Sequence, residues 1–197
     1  MTLTEIAAVP GAALPVQVLR DHLRMGSGFS DDAVQDGLLE TYLRAALAAV
    51  EGHTGKALIA RDFLWATEGW RDAMRAVLPL APVQAVAALV IRDRAGGTTA
   101  VAPTAYLLVR DTHAPCLTGA GSYLPSVPEG GTAEVTFTAG FGPWAAVPAD
   151  LGQAVLLLAA HFHEHRHATG DGAAGLPFGV MALLDRWRAI RIRGGRA

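Results

Sequence analysis

Apolar residues in the first quarter of the chain recur every three or four positions, the mark of helices with one buried side. Leu14, Val18 and either Leu19 or the His22–Leu23 pair predict a helix from Pro15 to Arg24, with Arg20, Asp21 and Arg24 facing out. Gly26 and Gly28 end it. Ser30 is placed to cap a second helix, and Asp31 and Asp32 set negative charge beside its unpaired N–H groups. Val34, Leu38, Tyr42, Ala45 or Ala46, Ala49 and Val50 carry that helix to about His53, and Leu39, Leu43 and Leu47 widen its stripe. Gly52–His53–Thr54–Gly55 supplies the stop.

After Lys56 the period changes. Phe63–Thr67, Arg75–Leu78, Val83–Arg92, Ala105–Arg110 and Ala133–Ala139 are short, rich in β-branched or aromatic residues and separated by turn formers. The last alternates cleanly, with Ala133, Val135, Phe137 and Ala139 on one face and Glu134, Thr136 and Thr138 on the other. Asp93–Gly97 predicts a hairpin connection, and Thr118–Gly131, with Pro125 and Pro128, an irregular excursion. Helical spacing returns from Pro148, through Leu151, Ala154 or Val155, Leu158, Ala159 and Phe162, and ends by Gly170. A final helix runs from Pro177 through Met181, Leu184, Trp187 and Ile190.

The expected fold is therefore α+β: a mainly helical bundle of about four helices with an inserted small antiparallel β lobe. Its parts are residues 1–59, helical; 60–142, the inserted lobe; 143–192, helical and packed on the first; and 193–197, a tail. Apolar residues make up 51% of the 197-residue chain, enough for a packed core, and only 17% are charged, below the ~25% usual for a soluble domain. Part of the surface is thus expected to meet partners. Charge is unevenly spread. Residues 1–175 hold 11 Lys and Arg against 17 Asp and Glu, a net of -6, whereas residues 176–197 hold 5 Arg against 1 Asp, a net of +4. An acidic body with a basic end lacks the clustered phosphate neutralisers of a duplex-binding domain. The first basic side chain, Arg20, follows Pro10 and Pro15, which is not the layout of a secretory signal, and no apolar run approaches the ~20 residues that span a bilayer. Neither export by that route nor membrane insertion is expected.

The sharpest short motif is His163–Glu164–His165–Arg166–His167, a match to the H-E-x-x-H of zinc hydrolases. A hydrolytic site also needs a third protein ligand and an open position. No histidine follows, so Asp171 and Asp185 are the acidic candidates. Four histidines in seven residues at a helix end are as well explained by attraction to the helix dipole, which needs no metal. Cys116, the single cysteine, excludes an internal disulfide and reads as inert beside Pro115. Gly119–Tyr123 is no nucleophile elbow, Gly140–Phe141–Gly142 no dinucleotide loop, and Lys56, the only lysine, lies in no phosphate loop. Asp31, Asp32, Asp36 and Glu40 read as a solvated helix face rather than a cation site.

The C-terminal segment carries the stronger functional signal. Leu184 and Trp187 lie on one side and arginines surround them. An ordinary amphipathic end helix has this pattern. So does a docking element, since buried Trp and Arg are the usual anchors of protein interfaces. Ile190–Arg191–Ile192–Arg193 is also able to extend along a neighbour's strand edge.

Taken together, several stretches resemble the head–tail connector (adaptor) proteins of long-tailed bacteriophages, prophages and gene transfer agents. They are Leu19–Arg24, Asp32 onward, and Glu51–Leu58, an E-x-x-T-G-R-A-L pattern with Lys56 in the Arg place. Val135–Gly142, Val147–Leu151, His161–Arg166, Leu176–Val180 and Leu183–Leu184 follow in order, so the resemblance covers residues 14–192. The family's W-Y-E-x-R falls on Phe162–Arg166, which puts the zinc-like motif on a structural helix end; the histidine density is a departure. The resemblance implies a ring, a dodecamer in the particle, between the portal protein and a tail-side connector or stopper protein. DNA passes only as cargo, no membrane is involved, and no catalytic residue, cofactor or metal is expected. It implies a location at the head–tail junction of a virion or gene transfer agent particle, with assembly in the host cytoplasm. It also implies a portal-docking hook, expected on Leu184, Arg186, Trp187, Arg188, Ile190, Arg191, Ile192 and Arg193. The alternatives are a zinc-dependent hydrolase using His163, Glu164 and His167, or a DNA-binding module acting through the C-terminal arginines.

Overall fold

The computed structural model describes residues 1–25, 32–165 and 175–188. The chain forms two compact units, one made of Met1–Val9 with Lys56–Pro143 and the other of Pro10–Gly55 with Trp144–Ala197.

The first unit is built of β-strands, with one 3-10 turn at Pro103–Ala105. Strands β1 (Thr2–Glu5), β2 (Arg61–Thr67), β4 (Val83–Arg92), β5 (Thr98–Ala100) and β8 (Thr132–Ala139) make a five-stranded antiparallel sheet in the order β1-β2-β8-β4-β5. Strands β3 (Arg75–Val77), β6 (Tyr106–Val109) and β7 (Cys116–Gly119) make a three-stranded sheet ordered β3-β7-β6. Alternation in β8 decides the core: Ala133, Val135, Phe137 and Ala139 are all fully buried, and the residues between them are half-buried. Phe137 is paired in register with Phe63 and stacks on its ring at 5.9 Å. Leu89, Ile91 and Trp65 from the large sheet share this core with Leu117, Tyr106 and Ala76 from the small one. The hairpin over Asp93–Gly97 forms as the sequence predicts. Gly96 takes φ 88°, and the Asp93 carboxylate accepts from Gly97 N–H at 2.8 Å. Gly140, at φ 129°, lets β8 end against β2; a Cβ there would lie 2.5 Å from Ala60 Cα.

The second unit is helical. Helices α1 (Val16–His22), α2 (Asp32–Thr54), α3 (Ala149–Glu164) and α4 (Phe178–Leu184) bury Leu19, Leu39, Leu43, Leu47, Val50, Leu151, Leu158, Val180 and Leu184 among themselves. None of the described helices is long and apolar enough to cross a membrane.

The α+β class is present, but the chain is not mainly helical: eight strands in two sheets balance the helices. Three strands were hidden from pattern reading. β1 and β5 are exposed at every position, so they carry no alternation, and β7 begins just before the stretch expected to be irregular and runs into it at Thr118 and Gly119. The buried stripe of α2 is also rotated from expectation. Leu39, Leu43, Ala46, Leu47 and Val50 face inward, while Leu38 is 44% exposed. Val18 of α1 is exposed as well, and Arg20, expected to face out, is buried. Its guanidinium binds Asp36 of α2 at 2.8 Å, an ion pair that offsets part of the cost of burying the charge. Glu40 likewise pairs with Arg44 at 2.6 Å, so both carboxylates are occupied by arginines. The Ser30 cap, Asp31, and the glycines 26 and 28 lie outside the described residues.

Candidate functional site

Pro177 leads the chain into α4 with φ -54°, and Val180 and Leu184 fix that short helix to its unit. A 3-10 turn, Asp185–Trp187, follows, and Arg188 leaves it in an extended conformation. The expected continuation of helix through Trp187 is therefore corrected to this tighter turn. Leu184 and Trp187 are both buried, as their spacing implied, but the indole has to reach a polar acceptor on another helix, and the turn carries it there.

That acceptor is Asp150, in the first turn of α3, where unpaired backbone N–H groups favour a carboxylate. The Trp187 indole N–H donates to Asp150 Oδ2 at 2.6 Å. Arg186 Nε binds the same oxygen at 2.7 Å, and its guanidinium lies 4.8 Å from the centre of the Trp187 ring. Asp150 Oδ1 is buried without a hydrogen-bond partner among the described residues. The sequence-predicted docking residues thus divide. Leu184 and Trp187 point into their own unit, and Arg186 and Arg188 are exposed. Ile190, Arg191, Ile192 and Arg193 lie outside the described residues.

The described part of the histidine motif, His163–His165, lies at the C-terminal end of α3, whose last helical residue is Glu164. His163 meets the Tyr42 ring edge-on at 5.9 Å. His161 and His165 stack on one another at 4.1 Å, and His165 Nδ1 lies 3.0 Å from the His161 carbonyl oxygen. His163 is engaged with α2 while its neighbours pair along the helix, so the three rings do not converge. No three metal-ligating side chains are grouped among the described residues; His167 and Asp171 lie outside them.

Two residues with strong interactions were missed by sequence reasoning. Asp150 read only as a helix start, and its charge at a helix N-terminus was the available signal. Lys56, completely buried, places Nζ 3.3 Å from His113 Nδ1. Burial drives the Lys56 pKa down, and Asp111 partly opposes that. The Asp111 carboxylate is itself held below the usual range by the backbone N–H groups of Ala114 and His113. Cys116 is buried and accepts from Arg75 Nε at 3.1 Å.

Solved structures place this architecture. A chain from the neck of an empty gene transfer agent particle, computed with C6 symmetry, is 51% identical over 100% of both chains, with a TM-score of 0.91. A chain from the virion of the native gene transfer agent is 53% identical over the same full lengths, with a TM-score of 0.88. One from the native neck computed with C12 symmetry is 50% identical, again over 100% of both chains, with a TM-score of 0.86. The chain belongs to the neck-connector family of gene transfer agents and phages. No protein-family model matches it, and no curated protein does.

Neck connectors are structural parts, and this member is structural rather than enzymatic. The zinc-hydrolase alternative falls with that membership.

Proposed function

We propose that this chain is the adaptor of the neck: a ring at the head–tail junction of a gene transfer agent or phage particle, seated between the portal protein and a tail-side connector or stopper. The observation that carries this reading is the match, over the whole of both chains, to a chain from a particle neck. The C12 symmetry of one matched neck supports a dodecamer, and the C6 symmetry of another is compatible with it, being a subgroup. Cyclic closure needs a heterologous contact, two different surfaces meeting at every junction. The net negative body suits a DNA conduit, because like charge discourages the passing phosphates from binding. Assembly takes place in the host cytoplasm, and DNA is cargo rather than ligand.

Portal docking is assigned to the C-terminal segment. Leu184 and Trp187 set its point of departure, and Arg186, Arg188, Ile190, Arg191, Ile192 and Arg193 make the contact. The basic charge of residues 176–197 and the outward Arg186 and Arg188 support this division. Removing residues 189–197 leaves the anchor in place and is expected to abolish capture of the chain by portal while its thermal unfolding is unchanged. Undiminished portal binding by the truncated chain would place docking elsewhere.

A further inference from the structure

The C-terminal end of α3 holds a second pair of histidines one helical turn apart, distinct from the H-E-x-x-H pair. His161 lies in the last turn and His165 caps it, so both stand on one face. Their rings stack with centres 4.1 Å apart and planes 30° from parallel. His165 is exposed and His161 half-buried. His163, two residues from each, lies on another face of the helix and meets Tyr42 edge-on.

The contact of His165 with the backbone sets its chemistry. Its Nδ1 lies 3.0 Å from the His161 carbonyl oxygen. A carbonyl only accepts, so Nδ1 is the nitrogen that carries the proton. In the neutral ring Nε2 then keeps its lone pair, the state in which an imidazole binds a metal. A carbonyl holding the other ring nitrogen is also the support that metal-binding histidines usually have. His161 is within reach. Two nitrogens bound to one zinc-sized ion at ~2.0–2.1 Å each lie no more than ~4.2 Å apart, and the stacked rings are already at that separation. The broad χ2 torsion of His161 supplies the remaining adjustment. Carbonyls at the end of this 16-residue helix add partial negative charge, which favours a cation there.

We infer that His161 and His165 form a clip for one divalent transition-metal ion of the copper, nickel and zinc class. Imidazole nitrogen selects these ions over magnesium and calcium, which prefer oxygen. Two protein ligands leave the other positions to water, so the ion is exchangeable, and the site is neither a structural zinc site nor a hydrolytic one. Its effect is on the helix end. The ion ties the capping residue to the preceding turn, which the backbone N–H of His165 already joins by donating to the same carbonyl at 3.0 Å. The inference is independent of the ring and portal readings.

The test titrates the tag-free full chain with copper(II), zinc and magnesium chlorides at neutral pH, read by calorimetry. One copper ion should bind per chain, more tightly than zinc, and magnesium should give no binding heat. His161→Gln and His165→Gln should each weaken copper binding at least tenfold, and His163→Gln should leave it within about twofold. Pulsed electron paramagnetic resonance of the copper-loaded wild-type chain, which requires no variant to fold, should count two coordinated imidazoles. Any other count overturns the inference. So does copper binding that survives both the His161→Gln and His165→Gln changes, that is lost in His163→Gln or His167→Gln instead, or that is spread over several weak sites as adventitious ions only.

Discussion

Trp187 and Asp150, thirty-seven positions apart, are joined by a 2.6 Å hydrogen bond from the indole N–H to Oδ2. That bond fixes where the basic end of the chain leaves the helical unit. An indole is largely apolar, but its one donor must be satisfied once buried, so the partner carboxylate defines the position of the whole turn.

Asp150→Ala should therefore destabilise the helical unit by about 1–3 kcal/mol, the cost of a buried donor left unpaired. Asp150→Asn keeps an acceptor for Trp187 and loses mainly the charge pairing with Arg186, whose side chain is 69% exposed. Such exposed pairs are worth ~0–1 kcal/mol, so Asn should be much milder than Ala. Denaturant unfolding of both variants checks the order; equal losses would mean that the ion pair and not the indole bond matters.

Helix α2 offers a paired comparison. Leu39 is buried and Leu38 is 44% exposed, though both fit the apolar spacing of the sequence. Leu39→Ala should cost about 2–5 kcal/mol and Leu38→Ala no more than about 0.5 kcal/mol. Thermal unfolding of the two single variants decides it, and a reversed order would contradict the helix rotation described above.

That pair also marks where the sequence was legible and where it was not. Strand β8 could be read directly, because one face is wholly buried and its alternation survives intact. The long helix was legible as a helix but not in its rotation: its apolar stripe is wide, and a wide stripe does not say which edge meets α3. Arg20 defied its charge because its neutralising partner, Asp36, lies sixteen positions away, in a different helix. Strands β1 and β5 left no trace because every position in them is exposed, so no alternation of buried and open residues marks them. At the C-terminus the spacing of Leu184 and Trp187 reported shared burial correctly, but a helix and a 3-10 turn satisfy that spacing equally over so few residues. Asp150 was invisible as a partner because nothing local ties it to Trp187.

Lys56 supplies a pH signature. Its folded pKa is lowered by burial, so the unfolded chain binds more protons at this site between the folded value and about 10.4. Stability from this site should accordingly rise with pH across that window, and the full penalty of burying the charge is present below it. Lys56→Met should remove this increment, so that the difference in unfolding free energy between variant and wild type changes with pH through the alkaline range. A difference independent of pH would show that the amine titrates normally in the folded state.

The central claim, a ring of connectors whose basic ends reach the portal, is tested most directly by cryo-electron microscopy of the particle neck containing this chain. The account predicts a closed ring of copies beneath the portal, with density for residues 189–197 lying against the portal surface. A neck in which this chain forms no ring, or in which those residues fold back on their own subunit and leave the portal untouched, would contradict it.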